Sequence, residues 1–352
     1  MNFDELKEIK IGTTVHDVAA APDSSMLWAA CLDGGIHGVP LDDKSEPFLL
    51  GQHRRYASGV HALPNGETVI SAGYDGRLLW HDVKERTCFR EVRAHDFWSW
   101  QSALSPDGQW IASSTGQYLC GGYKYEPAPE REPSVKVYST KSGDLKATFS
   151  HGPPVQSVTF SRDGRYVAAG NLMGEIRVWE LETQTLVANW TTGDFTGWGI
   201  IKGHYYTGGV FALAFGPSDD HLYLIGMGVT RDPAAGNGKQ LWQAYNWRDV
   251  EPNKHAEASP DETGQGLMEA VAFHPSDDWF IMAGRLEAGQ WNAATFTRES
   301  GNLQRSKDVK GRVCQAAFLN EGKRFVLAGG VSQGDLKDGK FRDYGRLWVG
   351  KG

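Results

Sequence analysis

Residues 157–180 read SVTFSRDGRYVAAGNLMGEIRVWE, and this stretch decides the fold. Short runs of apolar, β-branched and aromatic residues alternate in it with turns that contain Asp163, Gly164 and Gly174. Such runs, separated by Asp/Gly turns, are typical of antiparallel β-strands. The stretch therefore predicts three consecutive short strands joined by tight turns.

The same pattern recurs along the chain. Residues 61–82 read HALPNGETVISAGYDGRLLWHD, residues 102–116 read SALSPDGQWIASSTG, and weaker copies begin at Val15, Val210, Ala270 and Val313. One turn residue marks each copy: Pro22, Pro64, Pro106, Arg162, Pro217, Pro275 and Asn320. The intervals are 42, 42, 56, 55, 58 and 45 residues. Because a propeller blade of four strands takes about 40–45 residues, we expect one all-β domain over residues 1–352, a seven-bladed β-propeller.

Composition supports a folded, turn-rich chain and excludes several classes of protein. The 352 residues include 43 glycines, and the formal net charge is −7. An acidic balance disfavours a nucleic-acid partner, and no apolar run is long enough for a membrane span. The first ten residues are too charged for a signal peptide, and the four cysteines match neither a disulfide framework nor a zinc signature. We therefore expect a cytoplasmic protein with no cofactor and no metal.

Polar and aromatic residues stand at equivalent places in three copies. They are His53, Ser71, Asp75 and Trp80 in blade 2, His95, Ser113 and Tyr138 in blade 3, and His151 and Trp179 in blade 4. This pattern resembles the WD-repeat (WD40) family of β-propellers, with degenerate repeats of the bacterial type. In that family, His, Ser or Thr, Asp and Trp form a hydrogen-bonded set. The resemblance implies this structural role for the blade 2 residues, although the step from Asp75 to Trp80 is one residue short.

The last blade lacks its outer strand, because only three strands can be counted in it, around residues 313–318, 325–328 and 345–349. The N-terminal residues 6–11 alternate polar and apolar side chains, as a half-exposed strand does. We therefore expect the segment 1–14 to contain the strand that completes blade 7 and closes the ring. Such pairing would remove an exposed sheet edge.

Extra residues fall on one face of the predicted ring. Consecutive strands alternate in direction, so the turns between second and third strands lie on the same face as the links between blades. We call this face the inserted face. It carries the inserted loops 117–133, 193–208, 228–239 and 330–344. Aromatic and arginine side chains are frequent anchors of interfaces. The binding candidates on this face are Trp98, Trp100, Tyr123, Tyr125, Arg131, Trp198, His204, Tyr205 and Arg231. Alternatively, these rings pack on one another and hold the long loops down.

The sequence favours a non-catalytic scaffold that binds a protein or peptide through the inserted face. The alternative is a propeller that binds a small ligand or carbohydrate, or a hydrolase or lyase with a pocket at the central channel. No nucleophile motif or convergent acid–base set supports catalysis, so no catalytic residue is assigned. The starts of the inner strands, such as Val15, Val155, Val210 and Val313, are mostly apolar, so no convergent set of acid, base and metal ligands is seen at the channel.

Overall fold

The chain forms seven antiparallel sheets of four main strands, and the inner strands of neighbouring sheets contact one another in a closed ring. This computed structural model describes residues 2–42, 44–116, 129–198, 206–228, 238–259, 261–276, 278–332 and 343–352. Residues 2, 197–198 and 206–208 are described by their backbone alone. The seven-bladed β-propeller expected from the repeat is confirmed.

Strands run outward from the axis in each blade, in chain order. Blade 1 has β2 (Val15–Ala20), β3 (Met26–Cys31), β4 (Gly35–Pro40) and β5 (Phe48–Gln52). Blade 2 has β6 (Ala57–Ala62), β7 (Thr68–Gly73), β8 (Arg77–Asp82) and β9 (Thr87–Arg93). Blade 3 has β10 (Ser99–Leu104), β11 (Trp110–Thr115), β12 (Val135–Ser139) and β13 (Leu145–Phe149). Blade 4 has β14 (Val155–Phe160), β15 (Tyr166–Asn171), β16 (Glu175–Glu180) and β17 (Thr185–Thr191).

The remaining blades follow the same plan. Blade 5 has β19 (Tyr206–Phe215), β20 (His221–Met227), β21 (Gln240–Asn246) and β22 (Asn253–Glu257), with the short β18 (Thr196–Trp198) added to its inner edge. Blade 6 has β23 (Gln265–Phe273), β24 (Trp279–Ala288), β25 (Ala293–Thr297) and β26 (Leu303–Lys307). Blade 7 has β27 (Arg312–Leu319), β28 (Arg324–Gly330), β29 (Gly345–Lys351) and, as its outer strand, β1 (Asn2–Ile11).

The hydrophobic core is divided among the interfaces between blades. The buried apolar residues form seven clusters within the described ranges, and each cluster joins two neighbouring blades. In the cluster between blades 2 and 3, for example, Trp80 and Ile70 pack with Ile111 and Tyr138. A blade therefore buries each of its two faces only when both of its neighbours are present.

Hydrogen bonds near the axis add directional ties between blades. Asp17 of blade 1 accepts a hydrogen bond from the backbone N–H of Val60 in blade 2 at 2.8 Å and another from Gln315 in blade 7 at 3.0 Å. Between blades 3 and 4, Gln101 accepts from the N–H of Val158 at 2.8 Å. These bonds fix how each blade is oriented on the next.

The N-terminal strand closes the ring, as expected from the missing strand. Ile9 pairs with Leu347 and Ile11 with Gly345 in the antiparallel ladder between β1 and β29. The strand is longer than the six residues expected and starts at Asn2. Its extension buries Phe3, whose ring packs edge-on against Phe325 with centroids 5.6 Å apart.

The segment 193–208, expected as an inserted loop, contains regular secondary structure in its described residues. A 3-10 helix spans Gly193–Phe195, and its N-cap Thr192 accepts a hydrogen bond from the N–H of Asp194. Strand β18 then pairs with the first residues of β19 and forms a hairpin at the start of blade 5. The described residues contain no helix with the length and apolar character that crossing a membrane requires.

Phe3→Ala should lower the free energy of unfolding by about 3 kcal/mol, because it leaves a cavity between blades 6 and 7. Lys10→Ala, at an exposed position of the same strand, should change it by less than about 0.5 kcal/mol. Urea unfolding of both variants measures the difference. Equal midpoints for Phe3→Ala and the parent would contradict the role of β1 as a packed closing strand.

Candidate functional site

A one-residue slip occurs at an equivalent place in all seven inner strands. In β2, for example, Val15 pairs with Cys31 and Asp17 with Ala30, so His16 has no partner of its own. A β-bulge of this kind re-aims the extra side chain. The bulged residues are His16, Ser58, Trp100, Gln156, Phe211, Glu269 and Cys314.

All seven bulged residues line one cavity at the axis, with a volume of about 150 Å³. The cavity lies at the ends of the inner strands that carry the links between blades, so it belongs to the inserted face. The expectation of an apolar inner surface was therefore wrong. Val15, Val155, Val210 and Val313 are buried between blades, whereas the neighbouring bulged residue faces the axis.

An ion pair forms one wall of this axial cavity. The Arg312 guanidinium donates from Nε and Nη2 to the two carboxylate oxygens of Glu269. The Glu269 side chain is only 13% exposed, whereas that of Arg312 is 48% exposed. The pair therefore presents one half-exposed cation at the rim of the cavity.

Three further titratable groups of the cavity, His16, Tyr74 and Cys314, are uncharged at neutral pH. Burial, assisted by the charge of Arg312, lowers the pKa of His16 to about 4. Burial raises the pKa of Tyr74 to about 12 and that of the Cys314 thiol to about 12. A protonated thiol is a poor nucleophile, and an imidazole with so low a pKa is a weak base.

Five aromatic side chains form a continuous group beside the cavity, which we call the aromatic shelf: Tyr56, Tyr74, Phe97, Trp98 and Trp100. Trp98 stacks on Tyr74 with centroids 5.0 Å apart and an angle of 6° between the planes, and on Phe97 at 4.8 Å. Tyr56 lies 5.6 Å from Tyr74, and Trp100 lies 6.4 Å from Trp98. Tyr56 and Trp98 are 47% and 41% exposed, so the shelf offers apolar surface to solvent.

The shelf contains two of the binding residues expected from the sequence, Trp98 and Trp100. Arg131 is exposed in the segment that leads into β12. Trp198 ends β18, and its side chain is not described. The other five candidates lie outside the described residues: Tyr123, Tyr125, His204, Tyr205 and Arg231.

Sequence reasoning missed four residues of this region: Tyr56, Tyr74, His16 and Arg312. One signal was present, because Tyr56 directly precedes β6 just as Trp98 directly precedes β10. An aromatic residue at the same position of two consecutive repeats marks a shared place on the face. His16 gave no such signal, because a bulge cannot be read from the alternation of side chains.

Blade 2 contains a buried chain of polar side chains. His53 Nδ1 lies 3.0 Å from Asp75 Oδ1, and His53 Nε2 lies 2.9 Å from Ser71 Oγ. The next member is His81, whose Nε2 lies 2.9 Å from Ser71 Oγ. Trp80 does not join the chain; its indole N–H donates to the carbonyl oxygen of Thr140 in blade 3 at 2.7 Å. The step from Asp75 to Trp80 is one residue short, which explains this correction. In blade 4, Trp179 stands six residues after Met173, the residue at the place of Asp75, and in blade 2 the residue six positions after Asp75 is His81.

Blade 3 builds a related chain with a carboxylate from its inserted segment. His95 Nε2 lies 3.1 Å from Ser113 Oγ, which lies 2.7 Å from Ser99 Oγ. His95 Nδ1 faces Glu132 at 3.6 Å, and Glu132 in turn accepts from Lys136 at 2.7 Å. Tyr138 stays outside this chain and donates to the carbonyl oxygen of Ala94.

In blade 4 the corresponding contacts are weaker. His151 Nε2 lies 3.3 Å from the carbonyl oxygen of Ala169, and its Nδ1 lies 3.9 Å from Glu175. Trp179 stacks on Phe149 with centroids 4.9 Å apart and contacts the His151 ring edge-on. Burial, together with Arg177, lowers the pKa of His151 to about 3, so this histidine is neutral.

Comparison with protein families agrees with this geometry. The family model described as WD domain, G-beta repeat matches residues 143–180, the end of blade 3 and most of blade 4. This match lies within seven four-stranded blades that close into a ring. The matched repeat and the seven-bladed ring together support a WD-repeat protein.

Several curated relatives share this repeat. The small ribosomal subunit protein RACK1 of Candida albicans is 30% identical over 138 residues, 37% of this chain and 39% of that protein. The ribosome biogenesis protein BOP1 homolog of Oryza sativa is 23% identical over 220 residues, 58% of this chain and 29% of that protein. Pre-mRNA-processing factor 19 of Bos taurus is 26% identical over 153 residues, 43% of this chain and 28% of that protein. The WD-repeat chain thus spans less than two fifths of each of these relatives.

Asp75→Ala should lower the free energy of unfolding by about 2–3 kcal/mol, because the buried Nδ1–H of His53 and the N–H of Arg54 lose their acceptor. Asp163→Ala, in the exposed turn of blade 4, should cost less than about 1 kcal/mol. Urea unfolding of the two variants provides the comparison. Equal losses would show that the polar chain of blade 2 contributes no more than an ordinary turn.

Glu132 should make stability depend on pH in the acidic range. Although burial opposes it, the nearby His95 ring and the hydrogen bond from Lys136 lower the pKa of Glu132 from 4.5 to about 2. The carboxylate therefore stabilises the fold above its unfolded pKa, and this contribution is lost as the pH falls from about 5 to about 2.

Glu132→Gln should consequently be less stable than the parent at pH 7, and the difference should shrink as the pH approaches about 3. Urea midpoints at several pH values measure it. Glu182→Gln, whose side chain is 86% exposed, is the control and should differ from the parent by less than about 0.5 kcal/mol throughout. A difference for Glu132→Gln that is constant between pH 7 and pH 3 would contradict the assignment.

Proposed function

We propose that the chain is a non-catalytic scaffold whose protein or peptide partner binds to the aromatic shelf and inserts one side chain into the axial cavity. The observation that carries this proposal is the shelf itself. Exposed Tyr and Trp side chains on a rigid support are typical anchors of protein interfaces. Arg312 at the rim adds a polar anchor beside the apolar surface.

The size of the axial cavity supports a side chain over a free small molecule. Pockets for drug-sized ligands usually measure about 300–1,000 Å³, whereas this cavity has about 150 Å³. A cavity of that size accommodates a group as large as one benzene ring.

The geometry of the aromatic shelf argues against the alternative function, carbohydrate binding. A sugar stacks its apolar face on the face of an aromatic ring, but the Trp98 ring already stacks on both Tyr74 and Phe97. Trp98 therefore offers mainly its edge, which suits an apolar side chain or a hydrogen-bond acceptor. The neutral His16 and Cys314 and the paired Glu269 likewise support a role without catalysis.

The nature of the partner is open to experiment. The names of the relatives concern the ribosome and RNA processing, so ribonucleoproteins belong among the candidates despite the net charge of −7. A cytoplasmic location stays a prediction, and so does the single-domain organisation over residues 1–352.

Tyr56→Ala and Trp98→Ala should each weaken a specific partner by about 2 kcal/mol, or about 30-fold in Kd, because each removes an exposed anchor. The chain is immobilised, incubated with extract of its native host, and the retained proteins are quantified for each variant. Glu67→Ala, on the opposite face, should retain the same proteins as the parent. Thermal unfolding checks that the variants are folded.

Partners that bind the shelf variants as well as they bind the parent would contradict the proposal. Treatment of the extract with ribonuclease separates protein partners from RNA. Loss of all shelf-dependent binding after that treatment would show that RNA, and not protein, is the ligand.

A further inference from the structure

Three potential metal ligands surround one turn of blade 1. Cys31 ends β3, His37 lies in β4, and Asp33 lies in the turn between them. The nearest ligand atoms of Cys31, Asp33 and His37 all lie within 4.8 Å of one another. This group, found among the described residues, combines one sulfur, one oxygen and one nitrogen ligand within a single hairpin.

The hairpin explains why these side chains meet. Ala29 pairs with His37 in the ladder between β3 and β4, so Cys31, two residues after Ala29, projects from the same face of the blade. Asp33 occupies the turn, and its Oδ1 accepts from the N–H of Gly35 at 2.9 Å. The spacing Cys-x-Asp-x-x-x-His is therefore a geometric unit in a β-hairpin, although it matches no zinc signature based on paired cysteines.

Gly35 opens the space in which the ligands converge. A Cβ at this position would lie 2.6 Å from His37 Nε2 and 3.0 Å from Asp33 Oδ1. Only glycine lets the imidazole nitrogen approach the turn so closely. His37 Nε2 and Asp33 Oδ1 therefore both lie next to the space that a side chain at Gly35 would fill, close to the Cys31 thiol.

The polar chain of the other blades does not account for this group. In blade 2 the place of Cys31 is taken by Gly73, and His53 covers it, because a Cβ there would lie 2.5 Å from His53 Nδ1. In blade 1 the segment before the inner strand, residues 11–14, contains no histidine. Leu79 stands in blade 2 where His37 stands in blade 1. Blade 1 has therefore exchanged the usual histidine for a thiol and has added an imidazole.

A divalent cation would balance the two negative charges that a Cys31 thiolate and the neighbouring Asp33 carboxylate would place side by side.

We propose that Cys31, Asp33 and His37 bind one Zn²⁺ ion, with the fourth position open to solvent beside the exposed Asp33. Zinc prefers this combination of thiolate, imidazole and carboxylate, and three protein ligands with an open position form a recognised type of site. Binding displaces the proton of the Cys31 thiol, which passes to the buffer. The site lies on the inserted face at the side of blade 1 that packs on blade 7.

The full chain is freed of metal with a chelator, dialysed, and titrated with Zn²⁺ alone by calorimetry. We expect one ion per chain and release of about one proton, measured in buffers of different ionisation enthalpy. Titration with Co²⁺ should produce a sulfur-to-cobalt charge-transfer band in the near ultraviolet. Cys31→Ser should abolish this band, and His37→Gln should weaken Zn²⁺ binding at least tenfold.

Cys88→Ser is the matched control, because Cys88 is an exposed cysteine on the outer strand of blade 2. It should leave the band and the Zn²⁺ affinity unchanged. Thermal unfolding without metal checks the fold of Cys31→Ser, and the half-exposed His37→Gln provides an independent test if that variant is unstable. A Co²⁺ spectrum without the charge-transfer band, or Zn²⁺ binding unaffected by His37→Gln, would overturn the proposal.

Discussion

Closure of the ring is the constraint on which the other features depend. The first strand of the chain completes the last blade, and the cluster between blades 7 and 1 joins Ile11 and Val349 to Val15 and Leu27. Every blade buries its two faces against two neighbours, so an open ring would expose apolar surface at both ends. Hydrophobic burial is the main source of folding free energy, and closure therefore stabilises all seven blades together.

The axial cavity exists because the ring is closed and because each inner ladder slips by one residue. Without the bulges, regular alternation would place different side chains at the axis. Seven separate strands, distant in sequence, each contribute their bulged residue to the same cavity. The result is a wall of mixed character that contains Trp100 and Phe211 as well as the Glu269–Arg312 pair.

The contact between a buried histidine and a carboxylate becomes longer from blade 2 to blade 4. The Nδ1 atoms of His53, His95 and His151 lie 3.0, 3.6 and 3.9 Å from a carboxylate oxygen in blades 2, 3 and 4. Only the first distance is that of a hydrogen bond. All three rings are buried. Packing between the blades therefore holds them even where the carboxylate is too far away for a hydrogen bond.

The sequence alone determined the number of blades, the closing strand and the face that carries the insertions, because turns and side-chain alternation are local patterns that repeat. It also predicted Trp98 and Trp100 as members of the candidate surface. The tertiary structure decided which side chains meet. Tyr56 and Tyr74 complete the shelf, Arg312 lies at the rim of the cavity, and His81 replaces Trp80 in the polar chain.

The exchange of Trp80 for His81 and the bulged residues at the axis have one physical reason. A bulge, or a turn one residue shorter, rotates the following side chains to the other face of a strand, and hydrogen bonding between strands selects that register. Register depends on partners far away in the chain, such as Asp17 with Val60 and Gln315. Local patterns therefore predict the strands, whereas only the assembled ring decides which residues point to the axis.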